Sequence, residues 1–313
     1  MNAEPRAYDV TPPPAASLAP VLTFSLKSSA SKIIVLFKLR VVVLLVLASV
    51  GGALLASGGH LSLSRLLLLV VTGTLSSAGA SAINQYLERA NDGQMRRTRQ
   101  RPLVMGEVVR PQTVLEVSVT LIILALTIAL PFSFGLTFFL GAGAVIYVGV
   151  YTMWLKPRTV LNIVIGGVAG SCAVLSGGAA GGNWADPGVV ALALLVFAWT
   201  PTHFWSLAQA YRDDYARADV PMLPVITAAR VSAWWIVLHT GLTGFIALML
   251  SVRPGLGWMY AVPTIVATVW LGWHSIRLVR QPDRSRALTL FKVSNIYLGI
   301  VLLAIYIGML FVR

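Results

Sequence analysis

The chain has 313 residues, of which 57% are hydrophobic and only 11% charged, whereas soluble domains carry about 25% charged residues; an ordinary soluble globular protein is excluded. The single cysteine, Cys172, has no partner within the chain, which rules out a disulfide scaffold, and the apolar content rules out a disordered chain. Lys and Arg outnumber Asp and Glu by 24 to 11, yet the basic residues lie between apolar runs and form no single stripe, a placement that reads as membrane topology and not as nucleic-acid binding.

In chain order, residues 1–35 read as a flexible cytoplasmic tail, rich in Pro and Ala and lacking the charged start and short apolar run of a cleavable signal. Residues 36–313 read as one transmembrane domain. A helix crossing the hydrocarbon core needs about 20 mainly apolar residues, and nine stretches qualify: 39–58, 62–83, 113–131, 135–154, 160–181, 188–209, 232–252, 257–277 and 290–312. Under this topology 21 basic residues fall on one side and only Arg65, Arg253 and Arg313 on the other. Short cytoplasmic loops are enriched in Lys and Arg, so the N-terminus is expected inside. The expected fold is an all-α polytopic membrane protein in the cell inner (plasma) membrane.

Two acidic clusters lie on the cytoplasmic side. Glu88 and Asp92 end the second span, and Asp213, Asp214 and Asp219 follow the sixth. Charges at membrane depth are costly and mark functional candidates, although solvated loop charges beside their arginines would look the same. Spacing favours a site. Asn84, Glu88 and Asp92 recur every fourth position and so line one strip of a helix, offering an amide oxygen and two carboxylates suited to Mg²⁺. Arg96, Arg97, Arg99 and Arg101 follow directly, and guanidinium forks pair with phosphate oxygens. Tyr211, Asp213, Asp214 and Tyr215 supply a second hard-oxygen wall, while Lys156 and Arg158 add positive charge from the intervening loop. The whole suits ionisation of an amphipathic diphosphate.

The N-x-x-x-E-x-x-x-D strip and the following M-R-R-T-R-Q-R-P-L resemble the first aspartate-rich motif of the UbiA superfamily of intramembrane prenyltransferases. Tyr151-Thr152, Leu155-Lys156, Asn162 to Gly167, the run Trp199-Thr-Pro-Thr-His203-Phe-Trp205, Asp213-Asp214-Tyr215 and Pro221-Met-Leu-Pro224 resemble its protoheme IX farnesyltransferase (haem O synthase) branch, over roughly residues 35–310. The resemblance implies a nine-helix UbiA-type bundle and Mg²⁺-dependent transfer of a farnesyl group from farnesyl diphosphate to a vinyl group of haem b (protoheme IX), giving haem O, with haem A synthase or oxidase assembly proteins as partners. It assigns Asn84, Glu88, Asp92, Asp213 and Asp214 to Mg²⁺ and catalysis, and Arg97, Arg101, Lys156 and Arg158 to the diphosphate. Tyr151, Tyr211 and Tyr215 are assigned either to the diphosphate and cation or to an interfacial belt. His203 is either an acceptor contact or a packing histidine. The sequence departs from the family pattern at Leu39 and Thr202, where Pro is usual, at Glu88 for Asp, at Ser171–Val174 for a Pro-Pro stretch, and at Asp219 for Gly. Another ring acceptor, a quinone precursor or chlorophyllide, is the alternative. A transporter would also hold charges at membrane depth, but no broken-helix repeat is visible and the acids gather at one face.

Overall fold

The computed structural model describes residues 26–107 and 110–311. Among them the regular structure is entirely helical: α1 (Leu26–Leu36), α2 (Leu39–Ser57), α3 (Leu63–Gln94), α4 (Pro111–Ala129), α5 (Phe134–Val145, continued by a π-helical stretch over Ile146–Leu155), α6 (Asn162–Gly166), α7 (Val168–Gly181), α8 (Pro187–Ala210), α9 (Arg212–Arg217), α10 (Leu223–Ile226), α11 (Ala229–Leu250), α12 (Gly257–Arg280) and α13 (Arg284–Phe311). Eight segments of the described residues are long and apolar enough to cross a membrane: α2, α3, α4, α5 with its extension, α6–α7, α8, α11 and α13. The protein is therefore a multi-pass membrane protein. The stretch expected over 257–277 is helical as α12, but its Trp, Tyr and His residues hold its hydropathy down and it falls outside that set.

Two departures from the expected elements have plain causes. Residues 26–35, assigned to the flexible tail, are helical in α1, whose last residue Leu36 packs with Ala82, Leu103 and Val114. The end of α1 is also tied down: Gln85 Nε2 donates to the carbonyls of Val35 and Leu36, both at 2.7 Å, groups that a helix C-terminus leaves without partners. The rest of the tail lies outside the described residues. The second span, expected to stop at 83, runs on to Gln94. At about 1.5 Å per residue its 32 residues exceed a hydrocarbon core of about 30 Å, so the last turns carry Asn84, Glu88 and Asp92 to the membrane face.

The helices form a closed ring in which α3 packs on α4, α5 on α7, α8 on α11 and α13, and α12 on α13, while α2 lies along α7 and also touches α3, α8 and α13. The α2–α7 seam is built on small residues, which let backbones approach closely inside a membrane. A side chain added at Gly177 would collide with the carbonyl of Ser49, and one at Gly52 with the carbonyl of Val174. Ser49 and Ser176 hydroxyls meet across the same seam at 3.1 Å. Cys172 is buried on α7 beside Gly143.

On the membrane face opposite the acidic clusters, Asp186 accepts from the amides of Gly188 and Val189 and so caps α8. It also binds Arg253 through both carboxylate oxygens, at 2.5 and 3.0 Å, and Arg253 donates to the Leu55 carbonyl at the end of α2, at 2.6 Å. One guanidinium thus joins three helix ends. Stripping one partner from a mostly buried pair costs about 3 kcal/mol. Arg253→Met is therefore expected to lower the thermal unfolding temperature in detergent by several degrees, with turnover per folded molecule unchanged because the site lies at the other face. An unfolding temperature equal to that of the parent would show that the clamp carries no stability.

Candidate active site

The long helix α3 brings Asn84, Glu88 and Asp92 to one inward strip, with Asn84 and Asp92 buried. Each acid meets a cation from another segment. Glu88 is paired with Lys156, at the end of the π-helical stretch. Asp92 is paired with Arg101 at 2.5 Å, and its backbone carbonyl accepts from the Thr98 hydroxyl at 2.9 Å, so the turn over 95–101 folds back on the end of α3. Buried acids without such partners would be prohibitively costly.

The second cluster reaches the first through Arg97. Its backbone amide donates to Asp214 Oδ2 at 3.1 Å, and its guanidinium donates to the Tyr215 hydroxyl at 3.3 Å. The same guanidinium lies 5.6 Å from the ring centre of Tyr211 and 5.9 Å from that of Tyr215, within range of a cation–π attraction. Asp214 is buried and also paired with Arg217. Asp213 is exposed and has no side-chain partner among the described residues. Asp219, with φ 51°, occupies the left-handed backbone region, which Gly enters at no steric cost and which Asp is one of the few side chains to tolerate.

The π-helical stretch supplies the third wall. Tyr147 and Tyr151 stack nearly parallel, with ring centres 5.8 Å apart, and Lys156 Nζ lies 5.9 Å from the Tyr151 ring. Tyr151 fits only because residue 166 is Gly: a Cβ there would stand 2.6 Å from the ring. Thr152 accepts from Asn84 Nδ2 at 3.0 Å and donates to the Tyr147 carbonyl at 2.8 Å. Between α3, this wall and the turn at 218–220 lies a cavity of about 550 Å³, lined by Glu88, Thr152, Met153, Lys156, Asp219 and Val220 among others.

Lys38 and Tyr147 belong to the site and were not singled out by sequence, and Thr152, quoted there only within the Tyr151-Thr152 motif, was given no role. Lys38 sits in the left-handed turn before α2 (φ 49°) and donates to Asn84 Oδ1 at 2.5 Å and to the Tyr147 hydroxyl at 3.2 Å. Among the described residues it has no carboxylate partner. Burial pulls its ammonium down to about 7; Arg101 and Lys156 push the same way, against Glu88 and Asp92. For Lys156 burial is again the largest effect and disfavours the charge, but Glu88, Tyr215 and Asp92 together outweigh it and the amine is held above its usual range. The nearest sequence signal for Lys38 was its place between two apolar runs, which reads equally as a topology charge.

The structure does not bring every expected residue to the strip. Arg158 is exposed and donates to the carbonyls of Met153 and Trp154, closing the end of the π-helical stretch. His203 is buried on α8, stacked between Trp199 and Phe291 at 4.4 and 4.5 Å, with Nδ1 2.9 Å from the Ser294 hydroxyl. That is the environment of a packed aromatic. As for a metal, the described residues contain no ready cluster of three acidic, His or Cys ligands. Asn84, Glu88, Asp92, Asp213 and Asp214 are nonetheless all oxygen donors, the chemistry Mg²⁺ prefers, and they fit it if Lys156 and Arg101 shift from the carboxylates to a bound anion.

The UbiA prenyltransferase family model matches residues 44–296. The chain belongs to this family. It is 40% identical over 270 residues to the "Protoheme IX farnesyltransferase" of Metallosphaera sedula, covering 86% of this chain and 93% of that one. It is 39% identical over 290 residues to "Protoheme IX farnesyltransferase 2" of Paramagnetospirillum magneticum, covering 91% and 98%. Among solved structures, a digeranylgeranylglyceryl phosphate synthase superposes with a TM-score of 0.74 at 19% identity, covering 90% of this chain and 99% of that one. A UbiA homologue from Archaeoglobus fulgidus bound to DMAPP and Mg²⁺ superposes with a TM-score of 0.62 at 15% identity, covering 88% and 99%. The fold of this UbiA family member is thus that of the intramembrane prenyltransferases.

Lys38 yields a sharp expectation, since a buried ammonium without a carboxylate costs stability and is retained for binding. Lys38→Met should leave thermal stability equal or higher while raising KM for a prenyl diphosphate about tenfold or more. Lower stability with unchanged KM would make Lys38 a structural residue only.

Proposed function

We propose that this chain transfers a farnesyl group from farnesyl diphosphate to a vinyl group of protoheme IX, giving haem O. The observation that carries this reading is the 40% identity, along nearly the whole chain, to relatives named for that activity. The convergence of acidic and basic walls on one membrane face supports the diphosphate half of it.

In the proposed reaction the allylic C–O bond of farnesyl diphosphate breaks, leaving diphosphate and a farnesyl cation. The vinyl carbons attack the cation, the new C–C bond forms, and water adds to the resulting carbocation with loss of a proton. Mg²⁺, when bound, would neutralise charge developing on the leaving diphosphate. Asn84, Glu88, Asp92, Asp213 and Asp214 would hold it. Arg97, Arg101 and Lys156 would take the phosphate oxygens as charges fixed before the substrate arrives, which is how a preorganised site lowers a barrier, and Lys38, its ammonium pulled down to about 7, would be drawn to its charged form by the anion. Tyr151 and Tyr211 turn ring faces to the same region and would favour a passing cation. Arg158 would contribute at longer range. Tyr215 would keep Arg97 aimed, and His203 would form part of the acceptor wall through its packing. The site would face the cytoplasm of a bacterial-type plasma membrane, in keeping with the 21-to-3 distribution of basic residues.

Extracted haems from a haem O-deficient bacterial host expressing this chain should include haem bearing a hydroxyethylfarnesyl group by mass analysis. Its absence with the protein present in the membrane, together with prenylation of an aromatic acid in vitro, would reject the haem acceptor. Asp92→Asn and Asp213→Asn should each reduce turnover at least a hundredfold with membrane insertion intact. Near-normal activity in both variants would remove the acidic walls from the reaction.

A further inference from the structure

A second polar cavity, of about 210 Å³, lies where α12 ends and α13 begins, lined by His274, Arg277, Asp283, Ser285, Arg286 and Thr289. It belongs to the same membrane face as the active site, because Arg284, at the start of α13, stands 5.2 Å from the ring centre of Tyr211. It is separate from that site, as none of its lining residues joins the acidic walls. We propose that this cavity is a binding site for the phosphate headgroup of an anionic membrane lipid.

Three observations carry the assignment. The first is charge. The one carboxylate in the cavity, Asp283, is already paired with Arg286 and occupied by the Arg286 amide at 2.8 Å. Among the described residues Arg277, Arg280 and Arg284 have no carboxylate partner, so the cavity and its rim are strongly positive. The second is donor chemistry: Ser285 adds a hydroxyl beside two guanidiniums, the groups that recognise phosphate oxygens, while the Thr289 hydroxyl donates to the Ser285 carbonyl at 2.9 Å.

The third observation chooses between a lipid and a soluble phosphate. Val266, Val269 and Trp273 are 64, 68 and 54% exposed and, spaced by three and four, lie with Arg277 on one face of α12. The Arg277 guanidinium rests 4.6 Å from the Trp273 ring centre. An apolar stripe on the bilayer-facing side therefore leads directly to a charged end, the layout of an acyl chain below and an anionic head above. Basic pockets between helices at a membrane face bind such headgroups.

The full-length protein, purified in a neutral detergent, would be titrated at constant ionic strength with short-chain phosphatidylglycerol, short-chain phosphatidylcholine and inorganic phosphate, following thermal unfolding and bound lipid by native mass spectrometry. Phosphatidylglycerol should raise the unfolding temperature and be retained, phosphatidylcholine should do neither, and inorganic phosphate should have little effect. Arg277→Gln alone and Arg277→Gln/Arg286→Gln should weaken phosphatidylglycerol binding by about tenfold or more with the lipid-free unfolding temperature unchanged in the single variant. Equal binding of phosphatidylcholine, or undiminished phosphatidylglycerol binding in both variants, would overturn the proposal. A phosphate effect matching that of phosphatidylglycerol would replace the lipid with a soluble anion.

Discussion

Buried carboxylates at a membrane face must be matched by positive charge or hydrogen-bond donors, and for Glu88 and Asp92 the matching cations come from beyond their own helix. Glu88 of α3 is matched by Lys156 beyond the π-helical stretch, and Asp92 by Arg101 nine residues on. Asp214 of α9 is matched by Arg217 and by the Arg97 amide. Because neither member of such a pair can be left alone without a large penalty, these pairs fix where the end of α3, the loop after it, the end of α5 and the start of α9 must lie. The apolar spans position these ends only to within the freedom of a helix to tilt and turn. The ion pairs set them against one another.

The π-helical stretch is the second constraint. Its wider turn is marked by the Lys156 amide donating to the Tyr151 carbonyl, five residues back, and π-helical turns occur often at functional sites. Here the turn lets Tyr147 and Tyr151 stack, sends Thr152 to Asn84, and leaves the Tyr147 hydroxyl for Lys38. The Tyr151 ring in turn requires the bare backbone of Gly166 on the next segment. A single local irregularity thereby links four segments of the site.

Much of this was legible in the sequence because it rests on lengths and periods. Stretches of about 20 apolar residues mark membrane helices, and the observed α2, α4, α7, α8 and α11 end within three residues of the expected spans. The strip of Asn84, Glu88 and Asp92 was readable because a four-residue period survives whatever packs against it. What hydropathy could not show is that α3 stays helical once its composition turns polar. Nor could it show that Leu36 and Gln85 would order the end of the tail. The π-helical turn leaves no mark in composition, so Tyr147 could not be told from a lipid-facing residue and the Tyr151-Thr152 motif did not reveal that Thr152 meets Asn84. Lys38 and Arg158 show the same limit for charge: sequence locates a basic residue at a membrane face, but only the packing of neighbouring segments decides that Lys38 points inward and Arg158 caps a helix end.

The charge balance of the site connects these parts to its chemistry. Glu88, Asp92 and Asp214 are ion-paired with Lys156, Arg101 and Arg217, while the Lys38 ammonium and the Arg97 guanidinium rest on neutral groups among the described residues. A prenyl diphosphate brings about three negative charges, and Lys156 and Arg101 can meet them only by leaving Glu88 and Asp92. The carboxylates would then be buried and unpaired, a state too costly to persist. A divalent cation bound there would resolve this, since it would give the released oxygens a partner and prefers that donor chemistry. Binding of substrate and of such a cation would then be coupled by electrostatics, and without them the ion pairs of Glu88 and Asp92 hold the walls in place.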